Sequence, residues 1–205
     1  MNFRAPTRWP WLHSRMIDSS PVLTGYCAGA VGHPFHGPYH DQEYGFPIAD
    51  DDRLFGRLVL EINQAGLSWL TILKKKDNFQ RAYEAFDIAK VADYGAADRA
   101  RLLSDPSIIR NRLKVDAAIY NAGRILEVQE AHGSFAAWLS SHHPKPRADW
   151  VKLFRETFRF TGGEITGEFL MSTGFLAGAH EPNCPVYSRI LDLDPPWASV
   201  GSDAS

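Results

Sequence analysis

From position 51 to position 66, apolar residues recur every three or four places: Leu54, Phe55, Leu58, Val59, Ile62 and Ala65. This spacing predicts a helix with one apolar stripe. The acidic run at 50–52 suits a helix start, because Asp side chains cap free amides and favour the positive end of the helix dipole. Glu61 falls at the edge of the stripe, three after Leu58 and four before Ala65. Ionisation is costly at a core boundary unless the carboxylate has a partner. Spacing alone leaves two readings open. Glu61 is a helix-edge carboxylate that reaches water or pairs with an arginine, or it lines a concave pocket walled by Tyr39, Tyr44 and Trp69.

The same periodicity predicts helices along most of the remaining chain. A second short helix covers 67–75, and Asp77 can cap a third that carries Phe79, Ala82, Tyr83 and Phe86 on one face. A short helix follows at 96–103, and Asp105 with Pro106 is expected to open the next, Pro being tolerated in a first turn. Val115, Ala118, Ile119, Ala122, Ile125, Leu126 and Gln129 mark a long amphipathic helix closed by Gly133. Three more helices read at 135–139, 149–158 and 164–175, with a polar loop at 140–147. Residues 26–50 read as loop, dense in Gly, Pro and His from 25 to 38. The Pro-rich tail after His180 is expected on the surface. Strand patterns are nearly absent, and no internal repeat occurs. The expected architecture is a single all-α domain at 26–187, with a loosely ordered extension at 1–25 and a tail at 188–205.

Composition narrows the function. No run of eighteen apolar residues exists, so no membrane span is predicted. The net charge of −2 gives no overall attraction for nucleic acid. A local basic patch is the exception: Lys74, Lys75 and Lys76, then Arg110, Arg112 and Lys114. Such a run is either a solvated face or a phosphate-binding surface. The first seventeen residues carry Arg and no acid, but Pro6 and Pro10 interrupt them and no apolar core of a secretory signal is present.

Two cysteines stand near opposite ends of the chain, and each has a histidine at a useful distance. Cys27 and His40 are separated by twelve residues, His180 and Cys184 by three. Two Cys and two His are the right count and chemistry for a closed tetrahedral zinc site. It would join the N-terminal loop to the C-terminal tail and contribute folding free energy. A Cys27–Cys184 disulfide and two unrelated thiols are the alternatives, and His33 and His36 are competing ligands.

Three stretches together carry a resemblance: YHDQEYG at 39–45, LEINQAGLSWLTILKKK at 60–76 and SIIRNRLKVDAAIYNA at 107–122. In these the chain resembles the DNA-3-methyladenine glycosylase I family of the helix-hairpin-helix superfamily, over about 27–184. The resemblance implies a compact helical fold with a DNA-binding hairpin, and a structural zinc on Cys27, His40, His180 and Cys184. It also implies a pocket for a flipped methylated base. There Glu61 recognises the cationic base and is the catalytic residue, Trp69 stacks on the base, and Tyr39 and Tyr44 lie alongside. Lys74, Lys75, Arg110, Arg112 and Lys114 would contact DNA. The implied enzyme is a cytoplasmic bacterial repair enzyme, a monomer acting on alkylated double-stranded DNA.

The pocket residues are consistent with hydrolysis of a glycosidic bond. A 3-methylated adenine carries positive charge, so its glycosidic bond is already weakened, and an enzyme need only flip it, hold it and admit water. No lysine lies between 39 and 69, which argues against an amine nucleophile and for a monofunctional enzyme. The chain departs from the family at four places. Gly29 and Tyr44 stand where the family has tryptophan, Gly167 stands near a family tyrosine, and Leu113 replaces the hairpin glycine. A positive φ at Leu113 would carry a steric cost. Two other functions are therefore set beside the first: a glycosylase-like protein with an altered lesion or nucleoside substrate, and a non-catalytic DNA-binding member of the family.

Overall fold

The structure, a computed structural model, describes residues 22–201. Most of the 1–25 extension lies outside them. Among the described residues the chain forms α-helices and short 3-10 turns, with no strand. The helices are α1 (Gly25–Ala30), α2 (His36–Gln42), α3 (Asp51–Gln64), α4 (Trp69–Leu73), α5 (Lys76–Ala82) and α6 (Ile88–Ala92). They continue with α7 (Ala96–Ser104), α8 (Arg112–His132), α9 (Phe135–His142), α10 (Arg147–Thr157), α11 (Gly163–Ser172) and α12 (Pro185–Leu191).

Helix α3 is the centre of the fold. Asp50 caps it by accepting the Arg53 amide at 2.8 Å. Asp51 reaches outward and accepts from the Gln129 side chain at 2.7 Å and from the Phe135 and Ala136 amides at 2.7 and 3.0 Å. One carboxylate in the first turn of α3 thus also serves the start of α9. Every residue from Leu54 to Asn63 is buried, because α4, α5, α8, α9 and α11 all pack around the helix. The expected single stripe is therefore a helix enclosed on all sides, and Arg57 and Glu61 are carried inside it.

Helix α8 begins with Asn111 accepting the Lys114 amide at 3.3 Å and ends at Gly133, whose φ of +86° suits glycine. It packs against α7, to which the 105–111 connection with its buried Ile108 joins it. Pro106 does not open a helix. Asp105 instead accepts the Ser107 amide at 2.8 Å and makes a turn, the local bond by which Asp competes with helix formation. Leu113 lies in the first turn of α8 and is not among the residues of positive φ, so the steric cost expected there does not arise.

Other departures from expectation follow from packing. Stretch 26–50 holds α1 and α2, and α6 lies in a stretch where the periodicity marked no helix. The expected surface tail contains α12, with Pro185 at its first position; the 187/188 boundary falls inside that helix. Val186 and Ile190 of α12 form a second small core with Cys27 and Cys184, and Leu23, Phe46, Tyr187 and Trp197 pack against it.

Candidate active site and metal centre

A cavity of about 730 Å³ is lined on one side by Tyr39, Tyr44, Glu61 and Trp69, and on the other by Gly163, Glu164 and Glu168 of α11. All four residues expected to form a pocket are thus in its walls. Glu61 is 4% exposed. Burial is the main cause that pushes its carboxyl from an ordinary 4.5 to about 8; Arg57 and the Ser172 hydroxyl oppose the shift and Glu168 adds to it. Trp69 starts α4 because Gly66 turns the chain at φ +79° and Ser68 caps the helix, accepting the Thr71 amide at 3.3 Å. Its ring centroid lies 5.1 Å from that of Tyr39, and Tyr39 lies 5.5 Å from Tyr44.

Arg57, one turn before Glu61, organises this wall. Its guanidinium lies 4.8 Å from the centre of the Tyr39 ring and donates to the Tyr39 hydroxyl at 2.6 Å and to Glu43 at 3.2 Å. Lys76 also pairs with Glu43. The phenols of Tyr26, Tyr39 and Tyr44 are all pushed upward, burial being the first cause, so each is a protonated donor. Sequence reasoning missed Arg57, Tyr26 and Glu168. The four-residue spacing of Arg57 and Glu61 was the available signal, since it puts both on one helix face.

The second constellation lies behind the aromatic wall. Ligand atoms of Cys27, His40, His180 and Cys184 all lie within 4.8 Å of one another, and all four residues are buried. The Cys184 sulfur lies 3.6 Å from His40 Nε2 and 3.7 Å from His180 Nδ1, and the Cys27 sulfur 3.8 Å from His180 Nδ1. Metal–sulfur and metal–nitrogen bonds of about 2.3 and 2.0 Å give sulfur–nitrogen edges of about 3.5 Å in a tetrahedron, so the donor set fits. The outer nitrogens are engaged as well: His40 Nδ1 meets Asp41 at 2.7 Å, and His180 Nε2 donates to the Tyr44 carbonyl at 2.8 Å. Such contacts fix which nitrogen faces a metal. Both cysteines are free thiols, so the disulfide alternative is not the arrangement found. Gly45 permits this closure. Its φ is +82°, and a Cβ there would stand 2.7 Å from Ala179 Cβ and 3.4 Å from the His180 ring.

Residues 30–157 match the methyladenine glycosylase family. The chain belongs to that family. It is 33% identical over 180 residues to DNA-3-methyladenine glycosylase 1 of Escherichia coli, covering 78% of this chain and 96% of the relative. Over 119 residues it is 37% identical to a DNA-3-methyladenine glycosylase of Haemophilus influenzae, covering 58% and 64%. Among solved structures, 3-methyladenine DNA glycosylase I of Staphylococcus aureus superposes with a TM-score of 0.72 at 34% identity, covering 78% of this chain and 95% of that one. A Tyr-to-Phe variant of 3-methyladenine DNA glycosylase I in complex with 3-methyladenine gives 0.73 at 33%, covering 80% and 97%.

The expected basic patch of this family member divides in two. Lys114 is 5% exposed, and its ammonium donates to the carbonyls of Asn63 and Ala65 at 2.8 and 2.7 Å. It occupies the C-terminal end of α3, where helix carbonyls lack partners and the dipole favours a cation. Lys75 donates to the carbonyls of Pro106 and Ser107 at 3.2 and 2.9 Å. Each of these two ammoniums is thus engaged by two main-chain carbonyls. Lys74, Arg110 and Arg112 are exposed, and the Arg112 side chain is 83% exposed with Asp116 at 3.7 Å.

Proposed function

We propose that this chain is a monofunctional DNA N-glycosylase that excises 3-methyladenine from alkylated double-stranded DNA. The observation that carries the reading is the buried Glu61 carboxyl beside Tyr39 and Trp69, in one cavity of a methyladenine glycosylase family member. The flipped base stacks on Trp69 with Tyr39 and Tyr44 alongside, and cation–π attraction contributes about 0.5–2 kcal/mol for each well-placed ring. Glu61 accepts from the exocyclic amine and supplies negative charge. Burial holds its carboxyl above the ordinary range, and entry of a cation favours loss of its proton. The bond from the sugar C1′ to the base then breaks with its electron pair going to the base, which leaves neutral. Water adds to C1′ and releases its proton to solvent.

The Cys27, His40, His180 and Cys184 site would hold zinc. Four protein ligands leave no open position for water, so its contribution is to folding, by joining α1 and α2 to the chain before α12. Lys74, Arg110 and Arg112 meet phosphates. A monomer acting on DNA in the cytoplasm completes the proposal. Among the described residues no helix is long and apolar enough to cross a membrane.

Base release from methylated DNA, with chromatography of the freed bases, tests the reading. Wild type should release 3-methyladenine, and Glu61→Gln should do so with roughly tenfold lower kcat/KM, as expected when a charge-assisted contact becomes a neutral one. No release by folded, metal-loaded wild type would overturn it.

A further inference from the structure

The α11 wall places a second carboxylate in the base pocket. Glu168 is half-buried and lines the same cavity as Glu61. The Tyr44 hydroxyl donates to its Oε2 at 3.3 Å, and the Tyr44 ring is itself braced edge-on by Tyr26 at 5.3 Å. That single hydrogen bond orients the carboxylate, and no other side-chain donor among the described residues reaches it. Gly167 beside it matters too: a Cβ there would stand 2.5–2.7 Å from the Arg147 guanidinium. Arg147 therefore lies across α11 and donates to the Gly163 carbonyl at 3.2 Å and to Glu164 at 3.4 Å.

The groups that act on Glu168 are Tyr44 from the α2–α3 connection, Arg147 at the start of α10 and Glu164 on its own helix, and Glu168 in turn acts on Glu61 of α3. Arg147 is shared with Glu164 at the rim, and Arg57 is committed to Tyr39 and Glu43. The cavity is left with more acid than base. A neutral purine does nothing to relieve this imbalance, whereas a cationic one does.

We propose that Glu168 is a second specificity-determining residue of the pocket, adding from the α11 wall to the preference of Glu61 for a cationic alkylated purine over its neutral parent. The proposal rests on the base-binding reading of Glu61. Its test uses two probes of nearly equal shape, the 3,9-dimethyladeninium ion, whose charge is fixed, and neutral 9-methyladenine. Affinities for both are measured by titration calorimetry from acid to alkaline pH with the full-length wild type, Glu61→Gln and Glu168→Gln. Glu168→Gln should lose about five- to tenfold in preference for the cation with little change for the neutral probe. The pH at which cation binding strengthens should also move down, because one source of repulsion on Glu61 is gone. Equal losses for both probes, or an unmoved pH midpoint, would make Glu168 a structural partner of Tyr44 and overturn the proposal. If Glu61→Gln loses its charge preference while Glu168→Gln keeps it, the proposal fails and the pocket reading stands. If neither variant changes preference, the pocket reading fails with it.

Discussion

Arg57 donates a 2.6 Å hydrogen bond to the Tyr39 hydroxyl from one helical turn before Glu61. The same guanidinium orients an aromatic wall of the pocket and opposes the upward shift of the Glu61 carboxyl. Arg57→Met keeps most of the volume and removes both effects. It leaves Glu43 with Lys76 as its ionic partner and the buried Tyr39 hydroxyl without its donor, and should destabilise the fold by about 1–3 kcal/mol. Urea unfolding measures this, and kcat/KM on methylated DNA should fall with it. A fully stable variant of normal activity would show that the aromatic wall holds itself.

Glu61 should make stability depend on pH. Its folded value of about 8 lies above its ordinary 4.5, so between those limits the folded chain keeps a proton that the unfolded chain has released. The folded state is then favoured most in acid and loses about 1.4 kcal/mol per unit as pH rises through that window. Glu61→Gln carries no such proton. Its stability relative to wild type should rise from about pH 5 to about pH 8 by a few kcal/mol, read from paired urea titrations. A constant difference would mean that the carboxyl is better solvated than its surroundings indicate.

Lys114 and Arg112 stand two residues apart and should behave in opposite ways. Lys114→Met leaves the Asn63 and Ala65 carbonyls without their donor and should cost about 1–3 kcal/mol of stability. The salt dependence of DNA binding by the folded variant should stay close to that of wild type. Arg112→Ala should leave stability within about 0.5 kcal/mol and reduce the slope of log affinity against log salt by about one. A slope that changes with Lys114 and not with Arg112 would move the phosphate surface.

The metal prediction is one zinc per chain, measured by elemental analysis. Cys184→Ala should lose the metal and several kcal/mol of stability, because a buried ligand set is left incomplete. Gly45→Ala should do the same without replacing a ligand, since a φ of +82° is strained for alanine and its Cβ would stand 2.7 Å from Ala179 Cβ, on the turn that packs against His180. Retained zinc and unchanged stability in Gly45→Ala would show that the 45–46 turn can shift.

Much of this protein was legible in its sequence. The period of α3 and α8 is long enough to outweigh local ambiguity, and Asp50 and Gly133 mark their ends. Two Cys–His pairs at opposite ends of the chain already held the right donors for one metal site, and Glu61 stood out as a carboxylate on an apolar helix. The short helices α1, α2, α6 and α12 were not legible. Segments of five to seven residues are too short to be stable alone and exist here because packing holds them. Nor does a lysine in a basic run disclose that its ammonium will cap α3, as Lys114 does. Arg57 and Glu168 drew no notice for the same reason: a charge takes its role from what surrounds it. Sequence determined which donors, acceptors and apolar faces the chain possesses. Only the tertiary structure decided which charges are enclosed, since burial and pairing depend on residues far apart along the chain.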